Sequence, residues 1–160
     1  MPRSAHSAAP YIAVIGASEP TPEQEQAAEE VGRGLGGAGA VVINGGGAGV
    51  MAAASRGARD AGAMVVGILP GTDRHAANEF VTLALATGLG DLRNGLIVRA
   101  ADAVVAVGGA YGTLSEIGLA LAAGVGVVGY DTWAIDGVEL ADTPAAAVTR
   151  ALELAQDAVY

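Results

Sequence analysis

Val41-Val42-Ile43-Asn44-Gly45-Gly46-Gly47-Ala48-Gly49-Val50-Met51 and Val104-Val105-Ala106-Val107-Gly108-Gly109-Ala110-Tyr111-Gly112-Thr113-Leu114-Ser115-Glu116 decide the fold of this chain. Each stretch passes from an apolar β-branched run, through glycines, into a helix-forming run. A strand that turns straight into a helix aims backbone N–H groups and the positive end of the helix dipole beyond its own carboxyl end, which suits an anion such as phosphate. Two such loops in one small chain point to one ligand held from two sides.

Outward from these loops the chain alternates. Tyr11 to Gly16 reads as a buried strand, followed by a loop at Ala17-Ser18-Glu19-Pro20. Thr21, Pro22 and Gln24 form an N-cap, a first helical position and a capping box. Ala27, Ala28, Val31 and Leu35 give that helix its apolar face, and Gly36-Gly37 end it. Ala40 to Ile43 is a second strand, Val50 to Ala61 a helix and Met64 to Leu69 a third strand. Phe80 to Leu85 is a weaker one. Asp91 is the expected cap of a helix that turns Leu92, Leu96, Ile97 and Ala100 inward, with Arg93 and Asn94 in its first turn. Ala103 to Val107 is a strand, Leu114 to Ala123 a helix and Val125 to Tyr130 the last strong strand. Thr143-Pro144 opens a closing helix with a stripe at Ala147, Val148, Ala151, Leu152 and Leu154. Continuously apolar strands alternating with helices predict an α/β fold: a doubly wound, Rossmann-like, mostly parallel sheet with helices on both faces. Ligands of such sheets gather at the strand carboxyl ends, where both glycine loops must lie.

Composition narrows the chemistry. A length of 160 residues fits one domain, expected over residues 11–160 behind a flexible lead at 1–10. With 52% apolar and 16% charged residues the chain is too hydrophobic for disorder. The net charge of −9 argues against a nucleic-acid partner. All 8 basic residues are arginine, so a Schiff-base lysine, a lysine nucleophile and a Walker-type phosphate lysine are excluded. The absence of cysteine removes disulfides, thiol catalysis and thiolate metal sites. His6 and His75 stand too far apart for a zinc site and read as solvated loop residues; neither metal nor cofactor is expected. The longest apolar run, Gly118 to Tyr130, is shorter than the roughly 20 residues that span a bilayer. No membrane partner is expected, and the cytoplasm is the default location.

Several residues support more than one reading. The glycines of the first loop serve either a tight turn or a ligand, and their spacing fails the dinucleotide fingerprint. Thr113-x-x-Glu116 has the spacing of a capping box, which would satisfy helix N–H groups and nothing else. Arg93 near a helix start gains nothing from the dipole, a hint of function. Tyr111 is a lid on its loop or a stacking surface. Trp133 is a core edge, an oligomer contact or a pocket wall, with packing favoured.

With those residues in view, the chain resembles the LOG-like family of Rossmann-type proteins, long mislabelled as lysine decarboxylases. Their signature P-G-G-x-G-T-x-x-E stands here as Gly108-Gly109-Ala110-Tyr111-Gly112-Thr113-Leu114-Ser115-Glu116. The wording Gly-Ile-Leu-Pro-Gly, Leu-Arg-Asn and Gly-Thr-Leu-Ser-Glu-Ile is similar to a small bacterial branch that itself resembles molybdenum-cofactor carrier proteins. The signature's Pro is Gly108, its second Gly is Ala110, and the family's Arg-Lys pair is Arg93-Asn94. The resemblance implies binding of a small phosphorylated ligand, a nucleotide or a molybdopterin-like compound. It implies either hydrolysis of the N-glycosidic bond of a nucleoside 5′-monophosphate or a non-catalytic carrier or sensor role. Under the first, Arg93 and Glu116 would be the catalytic pair. Under both, the ligand would be held by Gly16, Ser18, Gly45, Gly46, Gly47, Gly49, Val50, Met51, Asn94, Gly108, Gly109, Tyr111, Gly112 and Thr113. Family members are dimers or larger, so a homo-oligomer, dimer or tetramer, is expected.

Overall fold

The computed structural model describes residues 8–158; the lead as far as residue 7, with His6, lies outside them. The strands are β1 (Tyr11–Gly16), β2 (Val41–Asn44), β3 (Val65–Leu69), β4 (Leu83–Ala86), β5 (Ala103–Val107), β6 (Gly126–Tyr130) and β7 (Val138–Leu140). The helices are α1 (Pro22–Gly37), α2 (Val50–Asp60), α3 (Asn94–Arg99), α4 (Tyr111–Ala122) and α5 (Pro144–Gln156). The strands form one sheet in the order β4-β3-β2-β1-β5-β6-β7, and every pairing is parallel. This is the expected doubly wound α/β fold.

Strand alternation divides the core between the two faces of the sheet. Ile12 and Val14 of β1 and Val105 and Val107 of β5 pack under α1, α2 and α5. Ala13 and Ile15, with Val104 and Ala106, pack under α3 and α4 around Ile97 and Ile117. The small residues let helices approach closely. A Cβ on Gly32 of α1 would fall 2.0 Å from the Ala54 carbonyl oxygen, and one on Gly57 of α2 would fall 2.1 Å from that of Glu29. Helix α1 starts as its sequence predicts: Thr21 Oγ1 accepts from Gln24 N while Gln24 Oε1 accepts from Thr21 N.

Three expectations need correction, and one short strand was not read from the sequence. Strand β4 begins at Leu83, not Phe80, because Asn78 folds the preceding residues into a turn, with its side-chain oxygen accepting from Phe80 N and its carbonyl from Val81 N. Strand β7 has only three residues, Val138-Glu139-Leu140, too short for its periodicity to register. Asp91 caps nothing: Gly90–Arg93 form a 3₁₀ turn without a side-chain cap, and α3 begins at Asn94. That turn rotates the helix, so Asn94, Ile97, Val98 and Ala101 face inward, while Leu92, Leu96 and Ala100 face out and Leu92 is 80% exposed. Finally, α4 begins at Tyr111, three residues before its expected start. No helix of the described residues is long and apolar enough to cross a membrane.

Candidate functional site

The sheet order reverses direction between β1 and β5, the one place where crossovers leave to opposite sides. There the loops after the two strands diverge and leave a crevice, the usual ligand position in an open α/β sheet. It has a volume of about 220 Å³ and is lined by the end of β1 and the loop after it (Gly16, Ala17, Ser18), the first glycine loop and α2 (Gly45, Met51), the turn before α3 and its first residue (Asp91, Arg93, Asn94) and the start of α4 (Ala110, Gly112, Thr113, Glu116).

Nine of the expected residues therefore meet here: Gly16, Ser18, Gly45, Met51, Arg93, Asn94, Gly112, Thr113 and Glu116. Others of the expected set do not line it. Val50 is fully buried in the core and its N–H donates to the Ala17 carbonyl. Gly49 has φ +68°, and a Cβ there would fall 2.5 Å from the Ala17 and Ser18 carbonyl oxygens, so it shapes the junction of the two loops. Gly46 and Gly47 are strapped from behind: Gly46 N donates to Asn44 Oδ1, and Asn78 donates through its own N–H to Gly46 O and through Nδ2 to Gly47 O. Tyr111 is 90% exposed on the outer side of α4, so it is no lid packed on its loop. Gly108 and Gly109 face the other way, toward Gln24 and Trp133.

Asn44 and Asn78 were not singled out for this role, and Ala17, Asp91 and Ala110 were not expected in the wall. Asn44 is fully buried, with Nδ2 donating to Ser55 Oγ and to Met51 O, and so holds the first loop onto α2. A polar residue at the end of an apolar strand is the trace such a clamp leaves.

The start of α4 settles the reading of Thr113. Its hydroxyl accepts from Ala110 N, capping the helix from within its first turn, and Glu116 is left out of any cap. The first-turn N–H groups of Tyr111, Gly112 and Thr113 have no acceptor inside the helix. Ala110 lies in extended backbone at φ −131°, so the Ala in place of the signature's Gly costs nothing. Gly108 has φ +57° and donates to Tyr130 O at 3.0 Å, neither of which a proline can do. The loop has its own conformation in place of the signature's proline-led one.

Arg93 and Glu116 face each other across the crevice with Nη1 to Oε1 at 3.8 Å, an ion pair without a hydrogen bond. Gly45 makes room for the guanidinium, since a Cβ there would fall 2.7 Å from Arg93 Nη2. Arg93 Nη1 donates to Asn94 Oδ1, and Asn94 Nδ2 donates to Ser115 Oγ at 3.2 Å, which ties the arginine to α4. Arg93 Nε is buried without a hydrogen-bond partner. Glu116 is 7% exposed, and burial pushes its carboxyl up to about 7 against the opposing pull of Arg93. Among the described residues no group of His, Cys, Asp and Glu could hold a metal.

A parallel, doubly wound sheet with a polar crevice at its reversal point defines a Rossmann-like α/β protein with a ligand-site architecture. The chain belongs to the SLOG cluster4 family, whose model matches residues 9–156, in agreement with the LOG-like resemblance read from the glycine loops. An uncharacterised protein of Archaeoglobus fulgidus is 42% identical over 138 residues, covering 86% of this chain and 91% of that one. The molybdenum cofactor binding protein of Rippkaea orientalis is 32% identical, with a TM-score of 0.84 over 94% of this chain and 97% of that one. The molybdenum cofactor carrier protein of Chlamydomonas reinhardtii is 30% identical, with a TM-score of 0.85 over 94% and 99% of the two chains.

Proposed function

We propose that this chain holds a small phosphorylated ligand, a nucleotide or a molybdopterin-like compound, in the β1/β5 crevice and acts as its carrier or sensor. The observation that carries this reading is the buried, unpartnered Nε of Arg93 beside the open first turn of α4. A buried cationic donor without an acceptor is costly, and a phosphate or another tetrahedral oxyanion would satisfy it together with the helix N–H groups. The similarity to molybdenum cofactor carriers favours transport over turnover. The test is calorimetric titration with inorganic phosphate, AMP and GMP, repeated with Arg93→Ala. Affinity that falls by about ten- to a hundredfold in the variant supports the reading. A protein that binds none of them has another ligand class.

A second reading, nucleoside 5′-monophosphate phosphoribohydrolase, draws support from Glu116, a carboxyl held near neutrality and facing an arginine. In that reaction Glu116 would orient the attacking water or stabilise positive charge at the ribose, while Arg93 holds the phosphate. Assay of free base from a panel of nucleoside monophosphates, with Glu116→Ala as control, decides between turnover and carriage.

The protein also acts as a homo-oligomer on this reading. The outer face of α4 is Tyr111, Leu114, Ser115, Gly118, Leu119 and Ala122, with no charged residue, and Leu92 and Leu96 stand exposed on the neighbouring turn and helix. An uncharged, largely apolar outer helix face of this kind belongs in an interface.

A further inference from the structure

On the far side of the second glycine loop lies a separate recess of about 240 Å³, lined by Gln24, Gly108, Gly109, Asp131, Thr132 and Trp133. Asp131 directly follows β6 and has φ +50°, the one positive φ on a non-glycine among the described residues. Aspartate is among the few non-glycine residues that adopt this region, and the turn presents its side chain beside the second glycine loop. Its carboxylate is exposed and held in place: Gln24 Nε2 donates to Asp131 Oδ2 at 2.9 Å, and the same amide is fixed at its other end by the cap of α1. Thr132 Oγ1 is buried without a hydrogen-bond partner. Trp133 lies against Gly109, where a Cβ would fall 2.7 Å from Cζ3, yet 37% of the residue is open to solvent.

We propose that this recess is a second ligand site, which takes a flat nitrogen heterocycle against Trp133 and reads its edge with Asp131. A carboxylate only accepts, so it selects an edge that presents two adjacent donors, a ring N–H beside an exocyclic amino group. Guanine and the 2-amino-4-oxo pterins share that edge. Adenine places a ring acceptor next to its amino group and would meet Asp131 with a repulsive lone pair. The site is independent of the phosphate reading, because its probes carry no phosphate.

Trp133 is the only tryptophan of the chain, so its emission reports this recess alone. The experiment titrates the full chain with guanosine, adenosine and 6-hydroxymethylpterin, following fluorescence and calorimetry together. Guanosine or the pterin is expected to quench Trp133 and to bind about tenfold or more tightly than adenosine, and the tighter of the two names the natural source. Asp131→Asn keeps a residue that tolerates positive φ and still accepts from Gln24, so the fold is retained while one acceptor is replaced by a donor. It is expected to erase most of the preference over adenosine. Absence of quenching by all three compounds, or a preference unchanged in Asp131→Asn, overturns the proposal whatever inorganic phosphate does in the crevice.

Discussion

Arg93 and Glu116 stand 3.8 Å apart in a buried crevice without forming a hydrogen bond, the arginine braced instead by Asn94. The pair is held open by the elements that carry it. Each partner keeps unsatisfied capacity toward the space between the loops, and that arrangement gives both a pH signature and a binding signature.

The first prediction concerns stability and pH. The folded Glu116 carboxyl binds its proton more tightly than in the unfolded chain, where 4.5 applies and not about 7. Its stabilising contribution is therefore complete below about pH 4.5 and is lost as pH rises through about 7. The shift corresponds to about 3 kcal/mol. Urea unfolding between pH 5 and 8 should show stability falling across that window, and Glu116→Gln should flatten the fall. A parent profile as flat as the variant's would remove the assignment.

The same proton governs the anion. With Glu116 neutral, the charge of Arg93 is uncancelled, so sulfate, whose own charge is constant in this range, should bind more tightly at pH 6 than at pH 8. Calorimetry on Glu116→Gln should show no such difference. The reverse dependence would mean that Glu116 does not face the bound anion.

Gly49 tests the junction of the two loops. Gly49→Ala meets two carbonyl oxygens at 2.5 Å in a backbone conformation that L residues disfavour. A loss of about 2 to 4 kcal/mol is expected, read as a fall of roughly 5 to 15 °C in Tm. Gly112→Ala, where nothing lies within 4 Å of the added Cβ, should leave Tm nearly unchanged.

The outer face of α4 predicts assembly. Leu114→Glu with Leu119→Glu should convert the oligomer to monomers in sedimentation or light scattering. A parent chain that is already monomeric at micromolar concentration would rule the interface out.

Much of the sheet was legible, because parallel strands buried on both faces write themselves as continuous Val, Ile and Ala runs. The exceptions have local causes. Leu92, Leu96 and Ala100 gave a helical period, but a 3₁₀ turn shifts the phase and turns them outward. Strand β7 is too short to show a period at all. Arg93 and Glu116, which meet across the crevice, were singled out through the family resemblance, and the spacing Thr113-x-x-Glu116 invited a cap that Thr113 makes with Ala110 instead. The divide between glycines facing the crevice and those facing Trp133 was not legible, since loop direction depends on contacts with Asn78, Gln24 and Tyr130 that lie far off in sequence.

The close crossing of α1 and α2 through Gly32 and Gly57 joins two helices that begin at different places. Helix α2 starts at the crevice, and the cap of α1 carries Gln24, which holds Asp131. With backbone seated against backbone, neither helix can shift alone, so the crevice and the Trp133 recess are built on one shared mount.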